Sequence, residues 1–293
     1  MGEASALASA LLWALDGILL RPQTRKHGAI SLNGLQYLFA ATFLVIISIL
    51  SGRAFLLLEA PLASLVLVLA AALIGMVGGD TLYVASLGRL GVARTFPISN
   101  TFYLLLTSTV AILFLGETIS YGSLLGAALA VGGVTLVALS WRGAEEVLGD
   151  LDAGGIAASL GAAVCWAIAI LMLKVALVET DVIAVNTIRL PMVAALLLAI
   201  NSLRRTEPLF RSYDLPTLAA VGSAGVFGVA VSSLLFLFAV QSLGAAKTAV
   251  LASTSPLFAV LLARVVLKER LTPGIIFGTV LSVAGIGLLS SSS

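Results

Sequence analysis

From Tyr83 to Thr95 the chain reads YVASLGRLGVART, and from Phe236 to Thr248 it reads FLFAVQSLGAAKT, at an offset of 153 residues (236 − 83 = 153). Working outward, LLWALDGILL around Trp13 is answered by AVCWAIAILM around Trp166 at the same offset (166 − 13 = 153). Downstream, FLGETISYGSLLGAALAVGGVTLVAL (Phe114 to Leu139) is answered by VLKERLTPGIIFGTVLSVAGIGLL (Val266 to Leu289). Here Glu117 and Glu269 stand 152 apart (269 − 117 = 152), so one residue has been lost or gained along the way. A repeat of this length in an apolar chain predicts a membrane protein built from two copies of one bundle.

Hydrophobic residues make up 60% of the 293 and charged residues 10%, with a mean hydropathy of +1.15. A water-soluble domain carries about 25% charge, so this chain has too little to cover a water-facing surface. Its apolar residues come in runs of about 20, the length that crosses a bilayer core as helix. The period-2 alternation of a membrane barrel is absent, which leaves a helical bundle to satisfy the backbone in lipid. The net charge of +2 is spread through loops and offers nothing to nucleic acid. A single cysteine, Cys165, excludes an intrachain disulfide and a two-thiol metal site. Glu3 stands where a signal peptide would be basic, so the first apolar stretch reads as a retained span.

Ten apolar stretches follow, at residues 4–20, 32–51, 62–87, 92–115 and 119–140, then 154–174, 182–201, 215–241, 246–267 and 273–290. The acidic run Glu145 to Asp152 divides them into residues 1–144 and 145–293. The predicted fold is an all-α integral membrane protein of ten transmembrane helices in two five-helix repeats. Because five is odd, the second repeat enters the membrane inverted. Basic residues in the loops agree with this alternation. Arg21, Arg25, Lys26, Arg89, Arg94, Arg142, Arg204, Arg205, Arg211, Arg264, Lys268 and Arg270 fall on one side, against Arg53, Lys174 and Lys247 on the other. By the positive-inside rule, that twelve-to-three imbalance places both termini outside.

Three charges lie within the spans: Asp16, Asp80 and Arg189. Each costs roughly 2.5–3.5 kcal/mol near a helix centre and needs a partner or a water-filled cavity. Asp80, the deepest acid, reads as a bridge between helices, as a proton carrier, or as a site for a cationic solute group. Asp16 reads the same way or as a solvated helix end. Arg189 reads as pairing with an acid, snorkelling to an interface, or binding an anion. At the 153-residue offset Asp80 aligns with Ser233 and Asp16 with Ala169, so the acids belong to the first half alone.

The fourth span of each half holds a further polar cluster. Pro97, Ser99, Asn100, Thr101 and Tyr103 form the first, and Ser253, Thr254, Ser255 and Pro256 the second. Proline removes a backbone donor and kinks a helix, and helix breaks at matching places in two halves point to a transport site. Trp13, Trp166, Tyr83, Tyr103 and Phe236 are candidates to wall a cavity or to pack between helices, the two tryptophans also to anchor at an interface. Glu117 and Glu269 are expected to cap the helix that follows each. The spacings Gly122 to Gly126 and Gly274 to Gly278 allow close backbone contact, within one chain or between two, so monomer and homodimer both stand. There is no P-loop, GxSxG or HExxH, and the one histidine, His27, lies in a basic loop, so neither enzyme chemistry nor a metal or cofactor is expected.

These residues resemble a known family. The tryptophan in the first span of each half, the LGVART and LGAAKT steps, the LGET and LKERLTP turns and the GALAVGGV and GTVLSVAG runs are similar to the drug/metabolite transporter superfamily. The ten-span kind with two EamA domains fits best. The resemblance implies a secondary transporter of inverted repeats around a central cavity, lined by the first, third, fourth, sixth, eighth and ninth helices. The fifth and tenth would be peripheral, and the substrates amino acids, other metabolites or drug-like cations, often exported. Pro256 matches the family's mid-helix proline, whereas the first half has Tyr103 and Leu104 there and Pro97 earlier. Arg189 matches an arginine near the start of the second helix of a repeat, where the first half has Tyr37 nearby. The resemblance also implies termini inside, against the charge count.

The function expected is secondary active transport of a small solute across the cell membrane by alternating access, with proton coupling. The alternatives are a non-transporting membrane scaffold and a membrane-embedded enzyme.

Overall fold

A continuous apolar chain in lipid has to close its backbone hydrogen bonds locally. The computed structural model describes residues 1–53, 61–115, 121–139, 152–176, 180–204, 213–243, 248, 251–252 and 254–291, and among them all regular structure is helical. In chain order the helices are α1 (Gly2–Leu20), α2 (Ala29–Leu50), α3 (Leu62–Leu90), α4 (Val92–Leu115) and α5 (Tyr121–Leu139). Then come α6 (Ala153–Ala176), α7 (Val182–Arg204), and α8, which joins Leu215–Ser223, Ala224–Val231 and Ser232–Leu243. Last are α9 (Ser255–Val265) and α10 (Pro273–Ser291).

Six runs among the described residues are long and apolar enough to cross a membrane: Gly2–Arg25, Ala29–Leu50, Leu62–Leu90, Ala153–Leu173, Val182–Arg204 and Leu215–Ala239. The chain is a multi-pass membrane protein. Its outward side chains agree, since Leu62, Val265 and Phe277 are more than half exposed and only lipid covers such a surface without cost. Glu117, Ser253, Lys247 and the run Glu145 to Leu151 lie outside the described residues.

Helices from early and late in the chain interleave. α6 packs along α3 and α4, while α1 packs along α8 and α9. α2 lies against α7, α5 against α10, and α4 touches α9. The α5–α10 contact uses Gly126 and Gly278 of the spacings above, together with Gly133 and Gly285. A Cβ on Gly278 would sit 2.7 Å from the Gly133 carbonyl, and one on Gly285 2.6 Å from that of Gly126. These glycines therefore serve a contact within one chain.

α3 and α8 are not regular throughout. Each contains an eight-residue π-helical stretch, Leu73–Asp80 and Ala224–Val231, a rare form frequent at functional sites. Both are glycine-bearing, and a glycine in each meets the other part of the chain. A Cβ on Gly75 would sit 2.7 Å from Ala169 Cβ, and one on Gly228 would sit 2.5 Å from Asp16 Oδ1. The two contacts correspond at the offset of the repeat (228 − 75 = 153; 169 − 16 = 153).

One end of the bundle is tied across the chain. Gly91, at φ +79°, links α3 to α4 in a single residue. Lys268, at φ +55°, turns the chain after α9, and the Glu269 N–H donates to the Ala263 carbonyl at 3.1 Å, closing the turn. This aims the Glu269 carboxylate at the start of α4, where Oε1 accepts from the Val92 N–H (3.1 Å) and Oε2 from the Ala93 N–H (3.0 Å). Glu269 thus caps α4 and not the helix that follows it, correcting the expectation from sequence. The start of α10 is served instead by Thr272 Oγ1, which accepts from the Ile275 N–H. Arg21 Nε lies 3.8 Å from Glu269 Oε1, and Arg21 Nη1 donates to the Gly88 carbonyl at 2.7 Å. Under these ties lies the largest core cluster, with Leu20, Leu32, Leu87, Val92, Phe96, Ala162 and Ala263 all buried.

Two carboxylates at the ends of helices are held in ionised form. Arg89 donates to both oxygens of Asp152 (3.0 and 2.9 Å) and holds that carboxyl below its ordinary range. Asp214 is the N-cap of α8, and its hydrogen bonds with Thr217 pull its carboxyl down likewise.

Candidate functional site

Between these helices lies a cavity of about 250 Å³, lined by residues of α1, α2, α3, α4, α6, α7 and α8. That is close to the lower end of small-molecule sites, about 300–1,000 Å³. Trp13, Asp16, Asp80, Tyr83, Asn100 and Tyr103 line it from the early helices, and Trp166, Arg189, Ser233 and Phe236 from the later ones.

Both acids are held from α2, and Asp80 from α6 as well. Asp80 ends the π-helical stretch of α3, where its Oδ2 accepts from the Tyr37 hydroxyl and its Oδ1 from Trp166 Nε1 (2.5 Å). Asp16 Oδ1 accepts from Gln36 Nε2 at 2.5 Å. Gln36 and Tyr37 are neighbours on α2, so a single turn of that helix fixes carboxylates belonging to α1 and α3. Donors aimed at a carboxylate stabilise its charge, and in a low-dielectric site such bonds are strong.

Arg189 is 6% exposed and enters the cavity from α7. Its Nη2 donates to Ser233 Oγ at 3.3 Å, and its Nε is buried without a hydrogen-bond partner among the described residues. Its burial rules out snorkelling to an interface. Among the described residues no ion pair within 4.0 Å joins it to Asp16 or Asp80.

The aromatic residues form two matched pairs. Trp13 and Phe236 have ring centroids 5.1 Å apart at 46°, and Trp166 and Tyr83 5.5 Å apart at 50°. Each pair joins an early helix to a late one, and the repeat offset carries one onto the other. Tyr103 meets Trp166 edge-on at 6.2 Å. The Tyr83 hydroxyl is buried and has no partner among the described residues.

Some residues expected at the site are elsewhere. Thr254 does not line the cavity, and its hydroxyl donates to the Leu251 carbonyl at 2.7 Å. Pro256 lies in the first turn of α9, where a missing N–H costs nothing, and Leu251 and Ala252 just before it are helical as well. Pro97 is buried inside α4 without lining the cavity. Ser253 lies outside the described residues. In turn, α2 and α7 contribute lining that the family resemblance assigned to neither, and no described residue of α9 does. Gln36 and Tyr37 were missed as acid-holders. The repeat contained the signal for the first, since Gln36 stands at the offset of Arg189 (189 − 36 = 153).

The comparisons with known proteins fit this architecture. The model of the EamA-like transporter family matches the chain twice, over residues 1–139 and 153–291. An uncharacterized transporter of Archaeoglobus fulgidus is 26% identical over 286 residues, spanning 97% of this chain and 96% of its own. A solved crystal structure superposes with a TM-score of 0.72 at 17% identity, covering 98% of this chain and 95% of its own, which is a likeness of fold. With two matches that together take in nearly all of its residues, the chain belongs to the EamA-like transporter family.

Proposed function

We propose that this protein is a secondary active transporter of a small solute in the cell membrane, working by alternating access. In this reading it has ten transmembrane helices in two inverted five-helix repeats, residues 1–144 and 145–293. The observation that carries it is the correspondence of contacts around the cavity. Trp13–Phe236 answers Trp166–Tyr83, and Gly228–Asp16 answers Gly75–Ala169, each joining one half to the other. Two copies related in this way can exchange conformations by rocking about a fixed midplane site, which carries the site from one face of the membrane to the other. The ties at Glu269 and Arg21 support reading this conformation as closed at their end of the bundle.

Asp16 and Asp80 supply the coupling. A carboxylate can hold a proton or the cationic end of a solute, but not both at once, so the two exchange at the site. With an inward proton gradient such exchange moves the solute outward. The test uses proteoliposomes with a pH dye in the lumen and a panel of metabolites and cations imposed as gradients. Solute-driven proton movement that is present in the wild type and lost in Asp80→Asn is the expected result. Single cysteines at Asn100 and Ser233, in a chain with Cys165→Ser, are probed in parallel with an impermeant thiol reagent. Complete protection at both, with no flux of any solute, would remove transport and leave a scaffold.

A further inference from the structure

The turn between α9 and α10 sorts its charges by side. It holds one acid, Glu269, whose carboxylate is engaged inward by the Val92 and Ala93 N–H groups with Arg21 beside it. Three bases fall within the same short run, Arg264, Lys268 and Arg270, and all three are exposed. None of them takes part in an ion pair or a side-chain hydrogen bond among the described residues. Other bases at this end are matched: Lys26 lies 3.7 Å from Asp214 and Arg89 2.9 Å from Asp152. The turn therefore presents three positive charges that no described carboxylate answers.

These bases belong to the second half alone. At the offset of the two glutamates (269 − 117 = 152), Arg264 aligns with Ile112, Lys268 with Gly116 and Arg270 with Thr118. A base in the last turn of a helix is ordinary, because it meets the negative end of the helix dipole, and that accounts for Arg264. It does not account for Lys268. At φ +55° this residue is in the left-handed region, where a side chain is strained and glycine is not, and glycine is what the first half has at that place. A lysine held there against its backbone preference calls for something that engages its ammonium. The surroundings supply the chemistry. Leu261, Val265 and Val266 before the turn, and Phe277 and Val280 after it, are all more than half exposed. An anion that meets both the bases and these side chains carries its own apolar body.

We infer that the α9–α10 turn is a binding site for an anionic phospholipid. Arg264, Lys268 and Arg270 hold its headgroup phosphate, and its acyl chains lie along the exposed faces of α9 and α10. Arginine meets a phosphate with two parallel N–H donors and lysine meets it as a compact charge, so one phosphate takes both kinds together. A lipid seated here grips the segment that positions Glu269, and so steadies the cap of α4 from outside. The site is separate from the central cavity, to which none of these three bases contributes, and it does not depend on what the cavity binds.

The experiment is thermal unfolding of the full-length protein in dodecyl maltoside micelles carrying phosphatidylglycerol, with phosphatidylcholine and free glycerol 3-phosphate as comparisons. A ligand of the folded state at about 100 times its dissociation constant should raise the melting temperature of a chain of this size by roughly 5–11 °C. Phosphatidylglycerol should give a rise of that order, phosphatidylcholine clearly less, and glycerol 3-phosphate none. Lys268→Gly relieves the left-handed strain and should melt at or above the wild type in plain micelles. Combined with Arg270→Gln, it should lose most of the rise. Arg25→Gln removes an exposed base from another loop at the same end and should keep the rise intact. The proposal is overturned by no rise with phosphatidylglycerol, or by a rise that survives in the double variant. An equal rise with phosphatidylcholine overturns it in favour of any bilayer lipid, an equal rise with glycerol 3-phosphate in favour of a site for free phosphate, and an equal loss in Arg25→Gln in favour of net charge. The wild-type comparisons decide the matter even where a variant fails to fold.

Discussion

Replacing Gly228 by alanine tests the closest approach between the two parts of the chain. The added Cβ would stand 2.5 Å from Asp16 Oδ1, 2.6 Å from its Cβ and 2.8 Å from its Cγ. Contacts between such atoms settle near 3.5–4.0 Å. Rotating the carboxylate away relieves the first and third but not the second, because Asp16 Cβ is fixed to the α1 backbone. α1 and α8 must therefore part by about 1 Å, and overpacking of this kind costs about 1–3 kcal/mol. At about 2–4 °C per kcal/mol for a chain of this size, the melting temperature should fall by roughly 2–12 °C. Turning Asp16 Oδ1 away from the new methyl also takes it from Gln36 Nε2, so the variant should bind solute less well than its stability alone implies. The assay is thermal unfolding of detergent-purified protein, with Asp16→Gly added as the relieving change. Asp16→Gly removes all three clashing atoms and should restore most of the lost stability, without restoring function. If Gly228→Ala melts with the wild type, or Asp16→Gly brings no rescue, the packing described here is wrong.

Other perturbations read other parts of the structure. Trp166→Phe keeps the ring contact with Tyr83 but removes the donor to Asp80, and a hydrogen bond to a charged group contributes about 1.5–3 kcal/mol. A fall in melting temperature that is absent when Asp80→Ala is already present would confirm the coupling. Glu269→Ala takes away the cap of α4 and should destabilise by about 0.5–2 kcal/mol, with Glu269→Gln intermediate because one acceptor remains; thermal unfolding that ranks the three otherwise would refute the cap. The lowered carboxyls of Asp152 and Asp214 contribute stability that is complete above the ordinary carboxylate range of about 4 and is lost as pH falls through their lower native values. Melting temperature measured from pH 6 down to pH 3 should therefore decline less steeply in Asp152→Asn with Asp214→Asn than in the wild type.

Much of the arrangement is legible in the amino-acid sequence because repetition marks it. Trp13 and Trp166, or Tyr83 and Phe236, are conspicuous only as pairs, and the offset that pairs them in sequence is the one that matches their contacts. Charges within apolar runs are equally easy to find, and so Asp16, Asp80 and Arg189 stand out. Their partners do not. Gln36 and Tyr37 are unexceptional in a span, and what makes them matter is that α2 passes both acids, a fact of packing. The π-helical stretches are hidden for another reason: Leu73–Asp80 and Ala224–Val231 are so uniformly apolar that no period can be read from them. Glu269 was placed correctly between helices but given the wrong helix to cap, since local sequence names only the next one.

The cap of α4 has a consequence for how the protein is made. The Val92 and Ala93 N–H groups precede their acceptor, Glu269, by 177 and 176 residues. At a synthesis rate of about 5–20 residues per second, the start of α4 waits roughly 9–35 s in the nascent chain before the carboxylate exists. Until then two backbone donors beside the membrane depend on water or on the insertion machinery. The cap of α4 is thus completed only when Glu269 has been made, and a chain stopped short of it would be left uncapped there.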